Sequence, residues 1–305
     1  MLSLNVGRSS FSFRIGTPMF NTLISTDALQ ENLHRTDWVI FDCRSSLIDH
    51  DAGLRAYNEG HIPNAFFCDL ENDLSSPITQ TSGRHPLPDF DLFITKLEKW
   101  GVHNQTQVVV YDDAGGALAV RLWWQLRTFG HNKVAVLNGG IPEWIKEGKT
   151  PSKDIPEHIH SSQTKFTAII DTKAWLSTEQ LEQNLNSKAY TVLDARTPER
   201  YRGESEPIDT VAGRIPDSIN RAFQLNLNEK GLFLSAEELR QQFGPILNQA
   251  PDKSAQNIVH LCGSGVTAIH NMLAMEIVGL SGSKLYAGSW SEWIRDKKRP
   301  ISVGK

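Results

Sequence analysis

The segment VVVYDDAGGALAV at residues 108–120 aligns without a gap with NIVHLCGSGVTAI at residues 257–269, and this match decides the fold. In both segments a short run of apolar, often β-branched residues leads into a loop that contains glycine and then into a helical pattern. The same register places GGIPEW (139–144) opposite GSWSEW (288–293). Similarity over a strand, a loop, a helix and the next turn indicates that the chain contains two copies of one domain.

Two further pairs of motifs match in the same order along the chain: FDCR (41–44) with LDAR (193–196), and GHIP (60–63) with GRIP (213–216). The 305 residues also exceed what one hydrophobic core usually supports. The polar segment 149–164, which contains two prolines, separates the copies and is interpreted as a linker. The sequence therefore predicts an N-terminal domain at 21–148 and a C-terminal domain at 165–305.

Short apolar runs alternate with helical patterns inside each copy. The predicted strands are WVIFDC (38–43), VVVYD (108–112), KVAVL (133–137), AYTVLDA (189–195), NIVHLC (257–262) and SKLYA (283–287). Strands that are apolar on both faces and separated by helices predict an α/β fold, in which each domain is a parallel sheet flanked by helices on both faces. SAEE at 235–238 is a capping box that opens a helix, and Gly244 is expected to end it.

Composition excludes several classes of function. The formal net charge of −4 leaves no basic excess for nucleic acid or an anionic membrane, and no apolar run approaches the ~20 residues of a membrane-spanning helix. The three cysteines form no CxxC or Cys/His spacing, which argues against a disulfide framework or a metal site and favours a reducing, cytoplasmic location. Residues 1–20 contain two arginines and no acid, so an organellar transit peptide is an alternative to a loosely docked N-terminus.

Cys262 ends a predicted buried strand and begins the loop CGSGVT, whose other members are Gly263, Ser264, Gly265, Val266 and Thr267. Small residues let the backbone turn its N–H groups inward, and the following helix adds the positive end of its dipole. A cysteine at such an anion-binding nest is expected to have a lowered pKa and to act as a nucleophile. A buried, inert cysteine is the alternative. The first copy has Asp113 opposite Cys262, so it is expected to keep the loop and lack the nucleophile.

The other two cysteines have no glycine loop. Cys43 lies in a strand pattern and matches Ala195, and Cys68 belongs to the apolar run AFFCDL. Free cysteine behaves as a small apolar side chain, so we expect both residues to serve packing.

These residues resemble the tandem-domain rhodaneses, which include thiosulfate and 3-mercaptopyruvate sulfurtransferases. The resemblance covers nearly all of the chain after about residue 20 and rests on FDCR and LDAR, GHIPNA (60–65), GRHPLPD (83–89), RLWWQLRTFGH (121–131), LNGG (137–140), RYRGESEPID (200–209), CGSGVTA (262–268) and GSWSEW (288–293). It implies a catalytic C-terminal domain, an inactive N-terminal domain and a ping-pong reaction through a cysteine persulfide. A small anionic sulfur donor, an acceptor such as cyanide, a thiol or thioredoxin, and no metal or organic cofactor are also implied.

The loop sequence points to the donor within that family. CGSGVT is similar to the 3-mercaptopyruvate type, whereas thiosulfate enzymes typically carry CRKGVT, with a basic pair where this chain has Gly263 and Ser264. A neutral loop attracts a dianion less strongly. A thiosulfate:cyanide sulfurtransferase with the same nucleophile is the alternative. Ser264 matches a family serine that assists C–S cleavage, although it can equally serve only to let the loop turn.

The resemblance also implies substrate-binding residues. Arg202 corresponds to a family arginine that holds the anionic group of the donor, a task that suits its planar fork, although an exposed surface arginine is the plain alternative. A second family arginine is replaced here by Ile208, and Arg214 is a candidate to supply the missing charge. His61 matches a histidine assigned to the active-site cleft, with a structural turn residue as the alternative.

Two other classes compete with a sulfurtransferase. Cysteine-dependent phosphatases that share the rhodanese shape need a loop of Cys, five residues and Arg, and the position of that arginine is Ala268. Without a guanidinium there is little to bind a phosphate dianion through two hydrogen bonds. A noncatalytic sulfur-binding or scaffold module is the third possibility, and the presence of Cys262 argues against it.

Overall fold

The computed structural model describes residues 19–46, 48–156 and 165–304. The elements of the N-terminal half are β1 (Leu23–Ile24), α1 (Thr26–Asn32), β2 (Trp38–Asp42), α2 (Ala52–Glu59), β3 (Ala65–Phe67), α3 (Phe90–Lys99), β4 (Gln107–Tyr111), α4 (Val120–Thr128), β5 (Val134–Leu137) and α5 (Gly140–Lys146). Those of the C-terminal half are β6 (Trp175–Leu176), α6 (Thr178–Ser187), β7 (Thr191–Asp194), α7 (Pro198–Arg202), β8 (Ile219–Asn220), α8 (Ala236–Gln249), β9 (Ile258–Leu261), α9 (Ala268–Ile277), β10 (Lys284–Tyr286) and α10 (Ser289–Trp293), with short 3₁₀ turns at Phe223–Asn226, Pro251–Lys253 and Ala255–Asn257.

Each half forms one parallel sheet of five strands. The strand orders are β1-β5-β4-β2-β3 and β6-β10-β9-β7-β8, so the two sheets have the same topology. The predicted α/β fold with two parallel sheets is confirmed, and each of the six predicted strands is present. The sequence analysis missed β1, β3, β6 and β8, because strands of two or three residues seldom show a hydrophobic period.

One continuous core lies between the two sheets. Side chains alternate along the strands, so that Val39 and Phe41 face this shared core while Ile40 faces a separate cluster on the other side of the sheet. The shared core is filled by helices of both domains, including residues of α3, α4, α8 and α9. Because residues of both domains contribute to this core, each domain buries apolar surface of the other.

The two domains also exchange hydrogen bonds at equivalent places. Arg121 of α4 donates to the carbonyl oxygen of Gly265 at 2.9 Å, and a ring nitrogen of His270 of α9 lies 3.0 Å from the carbonyl oxygen of Gly115. Each helix therefore reaches the glycine loop of the other domain. Beside them Arg127 and Glu276 form an ion pair across the interface at 3.0 Å.

The Asp-x-Arg motifs of FDCR and LDAR are buried ion pairs at the carboxyl ends of β2 and β7. Arg44 pairs with Asp42 at 2.6 Å, and Arg196 pairs with Asp194 at 2.7 Å. Both guanidinium groups also donate to the carbonyl of a glycine in the following loop, at 2.7 Å in each domain. The repeated motif thus anchors a loop to the sheet in both copies, which is a structural task.

Helix α8 begins as predicted and ends later than predicted. Ser235 and Glu238 form the expected capping box, but the helix continues through Gly244 and Pro245 to Gln249. The missing N–H of proline costs one backbone hydrogen bond. Burial of Phe243 and Ile246 on the core side of the same helix offsets that loss.

Two features of the sequence fall outside the described residues. Residues 1–18, which include most of the segment considered as a transit peptide, and residues 157–164 of the interpreted linker belong to this part of the chain. The boundaries at 149–164 therefore stay a prediction. Among the described residues, no helix has the length and apolar character needed to cross a membrane.

Candidate active site

Cys262 follows the last residue of β9 at the carboxyl end of the C-terminal sheet. Its N–H donates to the hydroxyl of Ser289 at 3.1 Å, and its carbonyl accepts from the N–H of Trp290 at 3.0 Å. The side chain is only 2% exposed and lines a pocket of about 240 Å³. These contacts fix the sulfur at the floor of a pocket beyond the ends of the parallel strands, where ligands of such sheets usually bind.

The sulfur of Cys262 lies in a nest of hydrogen-bond donors. Burial alone raises the pKa of the thiol, but the hydroxyl of Thr267 and the backbone N–H groups of Ser264, Val266 and Ala268 donate to the sulfur. Together they outweigh burial, and the pKa of Cys262 is lowered from the ordinary value. The loop therefore stabilises a negative charge on the sulfur.

Gly265 is required for this loop geometry. Its φ of +74° lies in the left-handed region, and a Cβ at this position would lie 2.2 Å from the carbonyl oxygen of Ala287. No side chain fits so close to the backbone. The close approach packs the loop against the segment that follows β10.

We expect Thr267→Val to raise the pKa of Cys262, because it removes one donor from the thiolate at nearly constant volume. The rate of alkylation of Cys262 by iodoacetamide, followed against pH by peptide mass spectrometry, measures the shift. Thr128→Val, in the N-terminal domain, is the control. An unchanged midpoint in Thr267→Val would show that this hydroxyl does not stabilise the thiolate.

Both domains line the pocket. Arg84 and Leu118 come from the N-terminal domain, and Arg200 comes from α7 of the C-terminal domain. Arg84 pairs with Asp209, and Arg200 lies 3.2 Å from Asp209 and 2.7 Å from Glu206. The two buried carboxylates therefore fix two guanidinium groups at the pocket.

The same arginines explain the glycine at position 263. A Cβ on Gly263 would lie 2.9 Å from Nη2 of Arg84 and 3.3 Å from Nη2 of Arg200. The guanidinium groups thus occupy the space beside the residue that follows the cysteine. The positive charge beside the loop therefore comes from Arg84 and Arg200 and not from a residue of the loop itself.

A chain of three polar side chains runs away from the loop. The hydroxyl of Ser264 lies 2.6 Å from Nδ1 of His85, and Nε2 of His85 lies 2.9 Å from the carboxylate of Glu71. Burial lowers the pKa of His85, although the neighbouring Glu71 acts in the opposite direction. A largely neutral imidazole that is held by a carboxylate can exchange a proton with the serine hydroxyl.

The structure places Arg202 outside the pocket. Its guanidinium pairs with Glu204 at 2.7 Å and lies 3.8 Å from Glu199 on the surface of the domain. Residues two positions apart on a helix point in nearly opposite directions, since each residue turns the helix by about 100°. Arg200 therefore faces the pocket, and Arg202 does not.

His61 and Arg214 also lie away from Cys262, at equivalent positions of the two copies. His61 forms an antiparallel bridge with Ser152, and Arg214 forms one with Ser302. The His61 ring stacks on Tyr57 and lies within hydrogen-bond distance of two backbone carbonyls. Both residues hold the chain that leaves the last helix of their domain, so the charge missing at Ile208 is not replaced by Arg214.

The counterpart of Cys262 is Asp112, one residue before the expected Asp113. Tyr111 ends β4 as Leu261 ends β9, and the carbonyl of Asp112 accepts from Ile141 as that of Cys262 accepts from Trp290. The Asp112 carboxylate accepts hydrogen bonds from four backbone N–H groups at 2.7 to 2.9 Å, those of Ala114, Gly116, Leu118 and Ala119. The N-terminal nest is therefore filled by a carboxylate of the chain itself.

Sequence reasoning missed three residues of the pocket region. Arg84 and His85 belong to the motif GRHPLPD, and Arg200 belongs to RYRG, in which the family resemblance points to Arg202 instead. The helical period over 198–202 carries a signal for Arg200, because only one of the two arginines can face the sheet. For Arg84 and His85 the sequence contains no such signal, since they reach the site from the other domain.

The remaining cysteines lie in the core. Cys43 and Cys68 are buried and free, and burial raises the pKa of both thiols. A protonated thiol in an apolar setting is a weak nucleophile. Among the residues that the structure describes, no group of histidine, cysteine and acidic side chains is arranged to hold a metal ion.

Comparison with known proteins identifies the family of this chain. The model of the rhodanese-like domain matches residues 25–147 and 177–296. A probable 3-mercaptopyruvate sulfurtransferase of Pseudomonas aeruginosa is 41% identical over 92% of this chain and 98% of its own length. The thiosulfate sulfurtransferase of Rattus norvegicus is 37% identical over 82% of this chain and 84% of its own. The structure of 3-mercaptopyruvate sulfurtransferase from Leishmania major superposes with a TM-score of 0.81 at 27% identity, covering 92% of this chain and 76% of that one.

The chain therefore belongs to the rhodanese family, with the domain present in two copies. Its relatives of similar length are named as 3-mercaptopyruvate or thiosulfate sulfurtransferases. The protein is a two-domain enzyme of the sulfurtransferase class.

Proposed function

We propose that the enzyme transfers sulfur from 3-mercaptopyruvate to a thiophilic acceptor through a persulfide on Cys262. The observation that carries this proposal is the pocket that combines a stabilised thiolate with two fixed arginines. The thiolate supplies the nucleophile, and the arginines bind the carboxylate of a small anionic donor. The name of the Pseudomonas aeruginosa relative supports the same donor.

In this proposal Arg84 and Arg200 replace the two-arginine clamp that Ile208 interrupts. Both groups lie beside Gly263, next to the nucleophile, and both are fixed by buried carboxylates. A guanidinium that is already oriented loses little conformational freedom when it binds a carboxylate. The donor carboxylate would be held at the mouth of the pocket, with its thiol directed to Cys262 at the floor.

The first half-reaction forms an S–S bond and breaks a C–S bond. The Cys262 thiolate attacks the donor sulfur, and the electron pair of the C–S bond leaves with the carbon as the enolate of pyruvate. The proton of the donor thiol is passed to that carbon, a transfer for which Ser264 and the neutral His85 form a relay. The products are pyruvate and a persulfide anion in the same nest of N–H groups.

The second half-reaction restores the thiolate. An acceptor attacks the outer sulfur, and the S–S bond breaks with its electron pair returning to Cys262. Cyanide gives thiocyanate in an assay, and a thiol or a thioredoxin-like protein is the expected acceptor in a cell. The buried, free thiols are consistent with the proposed cytoplasmic location, where the surroundings are reducing.

Thiosulfate is the competing donor, and one observation favours it. Arg84 and Arg200 supply beside Gly263 the positive charge that the loop itself lacks. Steady-state kinetics of one sample with both donors separates the two proposals. We expect kcat/KM to favour 3-mercaptopyruvate by about tenfold to a thousandfold, because these two arginines suffice for its single carboxylate. A dianion would also need the basic pair that the loop lacks at Gly263 and Ser264, at a cost of a few kcal/mol. A preference for thiosulfate would refute the donor assignment.

Arg200→Met is expected to raise the KM for 3-mercaptopyruvate by about tenfold to a hundredfold and to change kcat less. The reason is that a clamp on a carboxylate that does not react contributes the same binding energy to the substrate and the transition state. Initial rates over a range of donor concentrations measure both constants. Arg202→Met, two residues away on the surface, is the matched control and should keep the wild-type KM. Equal effects of the two substitutions would contradict the clamp.

A further inference from the structure

Arg121 joins the two loops that form the active site. It lies on α4 of the N-terminal domain and is fully buried. One guanidinium nitrogen donates to the carbonyl of Gly265 in the cysteine loop at 2.9 Å. The other donates to the carbonyl of His85 at 3.1 Å, with longer contacts to Pro86 and Leu74.

The guanidinium of Arg121 has no carboxylate partner among the described residues. All its hydrogen bonds there end on backbone carbonyls, and its Nε atom has no acceptor. A buried cation without a counter-charge is costly, so an unpaired arginine in the interior needs a reason. Burial lowers the pKa of Arg121 to about 10, while the negative charge of the Cys262 thiolate acts to raise it. The group is a cation at neutral pH, and Cys262 supplies the opposing charge.

The contact with Gly265 acts on the nest directly. The carbonyl of Gly265 and the N–H of Val266 belong to one planar peptide group and point in opposite directions. Arg121 binds the oxygen at one end, and the N–H at the other end donates to the Cys262 sulfur. The arginine therefore fixes the orientation of this peptide and polarises its N–H toward the sulfur.

The inactive copy contains the same arrangement with a neutral residue. His270, the counterpart of Arg121 on α9, contacts the carbonyl of Gly115, and the N–H of Gly116 donates to the Asp112 carboxylate at 2.8 Å. Burial lowers the pKa of His270 to about 4, so its ring is neutral at neutral pH. Of these two helix residues, Arg121 behind the cysteine nest is a cation at neutral pH and His270 behind the Asp112 nest is neutral.

We propose that Arg121 is a positioning residue that orients the Gly265–Val266 peptide and places a buried positive charge behind the Cys262 sulfur. It thereby stabilises the thiolate and the persulfide anion from the N-terminal domain. This inference rests on Cys262 as the nucleophile and is independent of which donor the enzyme uses.

The test compares full-length Arg121→Met and Arg121→Lys with the wild type. The pH dependence of Cys262 alkylation by iodoacetamide is read by peptide mass spectrometry, so no sulfur donor is needed. We expect Arg121→Met to raise the midpoint by about one pH unit and to lower kcat/KM at neutral pH by at least about tenfold. Arg121→Lys keeps the charge and is expected to recover more than half of the shift in midpoint.

Two further variants serve as a control and as a second neutral substitution. Arg127→Met removes the interdomain ion pair with Glu276 from the same helix and should leave the midpoint unchanged. Should Arg121→Met not fold, Arg121→His introduces the neutral residue of the other copy and is expected to raise the midpoint in the same way.

An unchanged midpoint in the neutral variant would overturn the proposal, even with a lowered melting temperature, because the role would then be structural only. An equal shift in Arg127→Met would also overturn it. Failure of the donor assignment would show in the kinetics with two donors and would leave the alkylation midpoints unaffected.

Discussion

Replacing Cys262 by serine is expected to abolish sulfur transfer, with a loss of at least about a thousandfold in kcat with any donor. A serine hydroxyl cannot form the S–S bond of a persulfide. Its proton is also too tightly held for the nest to yield an oxyanion at neutral pH. Thiocyanate formation from cyanide measures the rate. Cyanide-labile sulfur on the isolated protein after exposure to the donor measures the intermediate.

The matched control for Cys262→Ser is Asp113→Ala, which alters an exposed residue of the equivalent loop and should keep nearly full activity. Labile sulfur should be present in this control and absent from the serine variant. Substantial transfer by Cys262→Ser would mean that another group accepts the sulfur. Cys43 and Cys68, buried and protonated, would then need to be tested in turn.

Asp112→Ala is expected to lower the free energy of unfolding by several kcal/mol. The substitution removes the acceptor of four backbone N–H groups, three of them buried, and each buried donor left without a partner costs about 1–3 kcal/mol. Because native proteins are stable by only about 5–15 kcal/mol, this loss endangers the fold of the N-terminal domain. Urea unfolding followed by tryptophan fluorescence measures the change.

The neighbouring Asp113→Ala again serves as the control, since this side chain is exposed and removing it should change stability by less than about 0.5 kcal/mol. Asp112→Asn is expected to lie between the two, because an amide keeps one acceptor oxygen and places a donor against the remaining N–H groups. Equal unfolding midpoints for the two alanine variants would show that the carboxylate does not hold the N-terminal loop.

The repeat made the overall fold and the position of Cys262 predictable. Two matching segments gave the strand, loop and helix of both copies, and a cysteine in only one of them identified the candidate nucleophile. The alignment without a gap places Asp113 opposite Cys262, whereas the structural counterpart is Asp112, one residue earlier. Such an alignment assumes that both loops have the same length, but α4 begins eight residues after Asp112 and α9 begins six residues after Cys262.

The substrate-binding residues were harder to predict for a different reason. RYRG contains two arginines, Arg200 and Arg202, and their residue type does not show which of them faces the pocket. Only the direction of each side chain on α7 distinguishes them. Arg84 and His85 lie far from Cys262 in the chain and reach it only because the domains pack against each other. A sequence pattern describes neighbours along the chain, so it cannot identify contacts between loops of different domains.

The crossed contacts of Arg121 and His270 have a consequence for how such an enzyme can change. In a symmetric dimer of one domain, the interface is the same on both subunits, and a residue behind one nest would also stand behind the other. Any change there would alter both sites at once. Joining the two copies in one chain removes that restriction. Helix α4 can then carry a cation behind the Cys262 loop of the other domain. Helix α9 can carry a neutral residue behind the Asp112 loop, which has no nucleophile and serves as a fixed part of the scaffold.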